Sequence, residues 1–164
     1  MLTMPAVHFS LLYIVENATQ EKIAGLFDSV ESEIGAESFR RLFPAILTDR
    51  DVVFDDFASL EADGDGEFRT RIFFCDPGES NQKPSVENFN AQARSVFPKR
   101  AVLDPYTQGE LYEIASNLNS RCLSSIDDRT PYELFTEIFG EELASRLHIR
   151  RVDPKEVALK PIHK

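Results

Sequence analysis

A chain of 164 residues with 42% hydrophobic, 10% aromatic and 28% charged residues has enough apolar material for one domain with a core, and its 13 Phe argue against low-complexity disorder. A net charge of -10, from 28 acids and 18 bases, excludes a uniformly basic nucleic-acid coat. No apolar run reaches the roughly 18 residues of a membrane span, no basic region precedes the first apolar stretch as in a secretory signal, and Cys75 and Cys122 define neither a disulfide framework nor a Cys-based zinc site, so a cytoplasmic setting is expected.

Val7, Phe9 and the run Leu11–Val15 predict a strand. Asn17 or Thr19 can cap a helix carrying Ile23, Leu26, Phe27, Val30 and Ile34, which Gly35 ends or bends. Phe39, Leu42 and Phe43 continue an apolar face as far as Pro44. Ala45–Thr48 reads as a buried strand ending at Asp49, and the acidic, glycine-bearing residues 55–67 as a loop or short helix. Thr70–Cys75 is the third clear strand, broken by Asp76-Pro77-Gly78. Val86, Phe89, Ala93 and Val96/Phe97 form a helical stripe that stops at Pro98. Thr107 with Glu110, and Thr130-Pro131-Tyr132-Glu133, are capping boxes for two further helices. Gly140 closes the second, Glu141–Leu147 allows another short helix, and Asp153-Pro154-Lys155-Glu156 repeats the start signal. The order of elements predicts a single α/β domain.

The acids are unevenly spread. Residues 16–67 carry 14 acids and 4 bases, whereas residues 69–100 carry 6 bases (Arg69, Arg71, Lys83, Arg94, Lys99, Arg100) and 3 acids. Residues 101–140 return to a net of -5, and 141–164 have a net of +2. A polyanion is therefore expected at 69–100 or at the C-terminal tail, where Arg150-Arg151 either touches phosphate or neutralises a helix end. Glu61–Gly66 resembles a calcium loop only superficially, because its twelfth position is Ile72 in place of a bidentate acid, and an acidic surface turn is the better reading. His8, His148 and His163 show no metal spacing.

Asp49 lies at the C-terminal end of a predicted strand, the edge at which open α/β sheets bind ligands. Glu87 sits near the start of the next predicted helix and, with Arg94, faces away from the stripe of Val86, Phe89, Ala93 and Val96. Two carboxylates from separate elements can share a hard divalent cation. The same residue types also serve as a turn cap and as a partner for a helix dipole, so spacing alone leaves both readings open.

Asn81-Gln82-Lys83-Pro84-Ser85-Val86-Glu87-Asn88, with Arg94 and Phe97-Pro98-Lys99 downstream, resembles the third-carboxylate segment of bacterial insertion-sequence transposases of the thirty-type group, S-W-Q-K-x-x-x-E-x-x-N. Ile46-Leu47-Thr48-Asp49 followed by Phe54 resembles their second-carboxylate segment, I-L-T-D-N-G-x-E-F. Asp76-Pro77, Leu118-Asn119-Ser120 and Thr130–Phe135 follow the same family's order, and Met1–Met4 and Leu11–Asn17 resemble its second and third strands. The resemblance implies a DDE enzyme with an integrase-type, ribonuclease-H-like core: a mixed sheet flanked by helices, over residues 1–140, followed by a helical and basic tail over 141–164. It implies metal-dependent cleavage and joining of DNA, with Asp49 and Glu87 as catalytic Mg2+ ligands and Lys83, Arg94 and Lys99 near the DNA backbone of transposon ends.

The departures from the family pattern also carry expectations. No acid precedes Glu16, so the family's first strand and first carboxylate have no match in this sequence. Arg50-Asp51 stands where the family has Asn-Gly, Val53 where it has Glu, and Asn81 where it has Trp. Only Arg121 and Arg129 remain of the basic run before Thr130. In the family's sheet the first strand is central, so the expected fold is one with that strand missing and with unpaired edges, and the expected behaviour is marginal stability or self-association. With two ligands matched, the chain alone is expected to give little or no strand transfer. The alternative is a non-enzymatic protein that pairs with a full-length transposase, as a homo- or hetero-oligomer, and modulates it.

Overall fold

The computed structural model of the chain describes residues 1–48, 54, 56–75 and 106–158, and it is mixed α/β, with small sheets and helices. The chain divides into two compact units, Met1–Ile14 with Lys83–Lys164, and Val15–Gln82.

In the first unit, β1 (Leu2–Met4) pairs antiparallel with β2 (Phe9–Leu11) in the register Leu2↔Leu11, Thr3↔Ser10, Met4↔Phe9. Pro5 opens a 3-10 turn over Pro5–Val7, and His8 closes it at φ 53°, so Val7 belongs to the turn and not to the predicted strand. The strand also stops at Leu11, short of the predicted Val15. Leu2 already opposes Leu11, and beyond it the backbone turns to a side chain: Gln108 accepts from Ile14 N at 2.9 Å and donates to Leu12 O at 2.8 Å.

Both predicted capping boxes form. Thr107 starts α4 (Gln108–Asn119), its hydroxyl accepting from Glu110 N at 3.3 Å while the Glu110 carboxylate accepts from Thr107 N at 2.7 Å. Thr130 and Glu133 repeat the arrangement at 3.1 and 3.0 Å at the head of α5 (Pro131–Phe139), with Pro131 in the first turn, where its missing N–H costs nothing. Gly140, at φ 88°, separates α5 from α6 (Glu141–Arg146). The core joins these pieces: Phe9 stacks on Phe135 with centroids 4.1 Å apart, and Leu11, Leu118, Ala144, Leu147 and Ile149 are buried. Past α6 the chain docks on α4 through its own amides. Arg150 N donates to Ser116 Oγ at 3.1 Å, Val152 N to Ser120 Oγ at 3.0 Å and Ala158 N to Asn117 Oδ1 at 2.9 Å. Asp153 caps only a turn, accepting from Lys155 N at 2.9 Å, and no helix follows within the described residues.

In the second unit, Thr19 caps α1 (Gln20–Ile34), which buries Phe27, Val30, Glu31 and Ile34. Gly35, at φ 86°, breaks the helix, and α2 (Ala36–Leu42) folds back so that Phe39 lies 5.9 Å from Phe27 and 5.1 Å from Phe43, centroid to centroid. β3 (Ala45–Thr48) pairs parallel with β4 (Arg71–Phe74), in the register Ala45↔Arg71 to Thr48↔Phe74. Between them lie α3 (Ala58–Glu61) and an acidic turn, in which Asp63 Oδ1 accepts from Asp65 N at 3.0 Å and Glu67 N at 2.8 Å. Glu61 then holds the outer side of β4: its carbonyl accepts from Arg69 N at 2.8 Å and its carboxylate from Ile72 N at 2.9 Å.

The strand at 45–48 forms as predicted but is not buried on both sides. Ile46, Thr48, Ile72 and Phe74 share one face, while Ala45, Leu47, Arg71 and Phe73 share the other, where Leu47 is 46% and Phe73 52% exposed. An all-apolar run can be read as doubly covered from sequence, but burial depends on which neighbours arrive.

Candidate active site

The end of β3 is the part of the candidate site that the described residues reach. Thr48 closes the strand, its carbonyl accepting from Cys75 N at 2.9 Å, so the parallel pair is hydrogen-bonded to its C-terminal limit. Asp49 is the next residue in sequence. Asp49 and Glu87, and with them Lys83, Arg94 and Lys99, lie outside the described residues, as does the predicted helix over Val86–Phe97. Among the described residues, no group of three or more His, Cys, Asp or Glu could hold a metal ion. The reading of Glu61–Gly66 as a surface turn agrees with the carboxylate of Asp63 being occupied by backbone amides.

The expected basic segment changes character at its first residue. Arg69 is 1% exposed and pairs with Asp28 and with Glu31 Oε2, the latter at 3.3 Å. Its guanidinium also donates to Leu60 O at 2.9 Å and Ser59 O at 3.3 Å, and lies 5.5 and 5.9 Å from the ring centroids of Phe27 and Phe39. Arg69 is therefore unavailable to a polyanion, which removes it from the basic segment expected at 69–100. Its burial follows from two acids one helical turn apart on α1 that only a long, delocalised cation could satisfy. Arg71, by contrast, is exposed and lies 5.2 Å over the Phe68 ring.

Among the described residues after 141, Arg146, Arg150 and Arg151 each face an acid. Arg150 forks onto Glu113 of α4, with Nε 3.1 and 3.2 Å from the two carboxylate oxygens and Nη2 2.6 Å from one, and Arg151 lies 3.7 Å from Glu133. The hydrogen bond from Arg150 holds the Glu113 carboxyl below its ordinary range, against the opposing pull of partial burial. A depressed folded pKa gives stability that is present above the unfolded value and lost as pH falls through the folded one. Wild type is therefore expected to lose docking of the 149–152 segment in acid earlier than pH-insensitive contacts would require. Glu113→Gln should flatten that acid limb in urea titrations while changing neutral stability by no more than about 1 kcal/mol, because the pair is solvent-exposed; an unchanged acid limb would show the pair to be energetically silent.

Cys122 is exposed and Cys75 buried, and both are free. His148 stacks on Tyr112, with ring centroids 4.4 Å apart.

Transposase InsI for insertion sequence element IS30A of Escherichia coli (strain K12) is 39% identical over 64 residues, which is 39% of this chain and 17% of the transposase. The transposase for insertion sequence element IS1086 of Cupriavidus metallidurans is 34% identical over 70 residues, 43% of this chain and 21% of that protein. Putative integrase ORF3 of Spiroplasma virus SpV1-R8A2 B is 29% identical over 87 residues, 51% and 26% of the two chains. No family model matches, and no solved structure matches. The class these similarities define is that of transposases and integrases. Within it, the resemblance to insertion-sequence transposases of the thirty type is borne out, and this chain spans between 17% and 26% of the length of the three relatives.

Proposed function

We propose that this chain is part of a DDE transposase and that Asp49 and Glu87 belong to the metal-binding end of a ribonuclease-H-like sheet. The observation that carries the reading is the 39% identity to the IS30A transposase over 64 residues. The parallel β3–β4 pair supports it, because the residue that follows β3 in sequence is Asp49, and the carboxyl ends of parallel strands are where open α/β sheets hold their ligands. The donor set is chemically suited to magnesium, since carboxylate oxygens are the ligands a hard divalent cation prefers. Such an ion, when bound, stabilises the attacking and leaving oxygens of a phosphodiester. The parts assigned to this chain are narrower: Asp49 and Glu87 supply oxygens, and Lys83, Arg94 and Lys99 meet the phosphates of the transposon ends, positioning the duplex without reading its bases.

With two carboxylates matched, cation binding is weak and strand transfer by this chain alone is small or nil. Titration with manganese, a paramagnetic stand-in for magnesium, tests the site directly by NMR. The signals of Asp49 and Glu87 should broaden together in one titration, magnesium should reverse the effect, and Glu87→Gln should abolish it at both positions. Broadening at only one of the two, or equally at all surface acids, overturns the shared site. Magnesium-dependent nicking abolished by Glu87→Gln would uphold the site and overturn the expected inactivity.

A further inference from the structure

The edge of β2 that faces away from β1 is occupied by side chains that imitate a neighbouring strand. Ser10 N donates to Asn119 Oδ1 at 2.9 Å, and Asn119 Nδ2 donates to Ser10 O at 2.8 Å. This is the two-bond exchange that one residue of an antiparallel partner makes with its opposite number. Two residues further on, Gln108 Nε2 donates to Leu12 O at 2.8 Å and Gln108 Oε1 accepts from Ile14 N at 2.9 Å, the bonding that one residue of a parallel partner makes with a carbonyl and the amide two residues later. Residues 10, 12 and 14 present their backbone groups on the same edge of an extended chain. The two amides stand eleven positions apart, at the two ends of α4, and so come round to nearly the same helix face.

Ser10 is fully buried and Asn119 is 1% exposed, so neither backbone group has water as a substitute partner. The Ser10 hydroxyl bonds across the hairpin to Thr3 Oγ1 at 3.1 Å, which leaves its main-chain N–H and C=O to Asn119. A short, apolar strand with an unsealed edge is a template for another chain.

We propose that Asn119 and Gln108 form a carboxamide lock that closes the β2 edge against strand addition by a second copy of this chain. The lock does not depend on the catalytic reading: it concerns which edge of the hairpin can recruit a partner strand. Only a side chain with both a donor and an acceptor on a planar head can replace a strand residue, which is why amides and not hydroxyls occupy these positions.

The test uses the full chain and reads two quantities: concentration-dependent association by sedimentation velocity, and hydrogen exchange at individual amides. In wild type the Ser10 and Ile14 amides are protected at all concentrations. In Asn119→Leu, Ser10 should exchange freely when dilute. Association should then set in at about a tenfold or lower concentration than for wild type, with Ser10 protection returning as it does. Leu118→Ala, which loosens the same helix but keeps both amides, separates edge exposure from simple destabilisation and should leave Ser10 protected while the chain remains folded. If Asn119→Leu fails to fold, Gln108→Leu, read at Ile14, decides on the same terms. Association with the amide still unprotected, or a folded monomer at every concentration with an exchanging amide, overturns the proposal.

Discussion

Arg69→Met should cost about 3–5 kcal/mol and unfold the Val15–Gln82 unit well before the other. Arg69 is 1% exposed and is the shared partner of Asp28 and Glu31, so its loss leaves a buried carboxylate without a counter-charge. Glu31 Oε1 already lacks a hydrogen-bond partner, which leaves that side chain no second anchor to fall back on. Two backbone carbonyls, of Leu60 and Ser59, lose their donor in the same step. Truncation, not the net value of the pairing, sets the size of the effect, and the double change Arg69→Met with Glu31→Met should recover most of it, because an apolar pair of similar volume removes the stranded charge. Urea unfolding with residue-level hydrogen exchange checks both statements. A loss below about 1 kcal/mol for the single change would mean that water reaches the pair and that its burial carries little energy.

Phe135→Ala should destabilise the Met1–Ile14 and Lys83–Lys164 unit by about 3–5 kcal/mol. The ring is fully buried, stacks on Phe9 at 4.1 Å and meets Phe139 at 5.0 Å, so it ties the hairpin to α5. Alanine leaves a cavity bounded by a strand and a helix, neither of which can collapse without breaking its own hydrogen bonds. Phe135→Leu keeps most of the volume and loses the ring stacking, and its smaller cost measures that share, about 0.5–1.5 kcal/mol beyond area. Amide exchange in β2 and α5 should rise together in the alanine variant; a rise in α5 alone would show that the ring does not couple the two.

The helix starts were the most legible features. Thr107 with Glu110 and Thr130 with Glu133 are read from four consecutive residues because both partners of each capping box lie within one turn. Gly35 and Gly140 were equally plain as breaks, since each takes a positive φ that other residues resist. The register and length of the first hairpin were not legible: nothing in Leu11–Val15 tells that Gln108, about a hundred positions away, takes the amide of Ile14. The division after Ile14 was equally hidden, because the unit that holds Met1–Ile14 is completed only by residues from Lys83 onward, far away in sequence. Of the candidate site, the strand leading to Asp49 was foreseen from its apolar run, while the exposure of Leu47 and Phe73 on one face of that sheet was not.

Short-range chemistry thus decided where the helices at Gln108 and Pro131 begin, which strand precedes Asp49 in sequence, and the order of motifs that relates this chain to insertion-sequence transposases; each depends on residues within a few positions of one another. Folding in three dimensions decided that Arg69 is an interior cation and not part of a basic surface, that Arg150 serves Glu113, and that two amides on α4 finish the edge of β2. The reason is physical: desolvation and hydrogen-bond satisfaction are set by the atoms that surround a group, and those atoms come from distant parts of the chain.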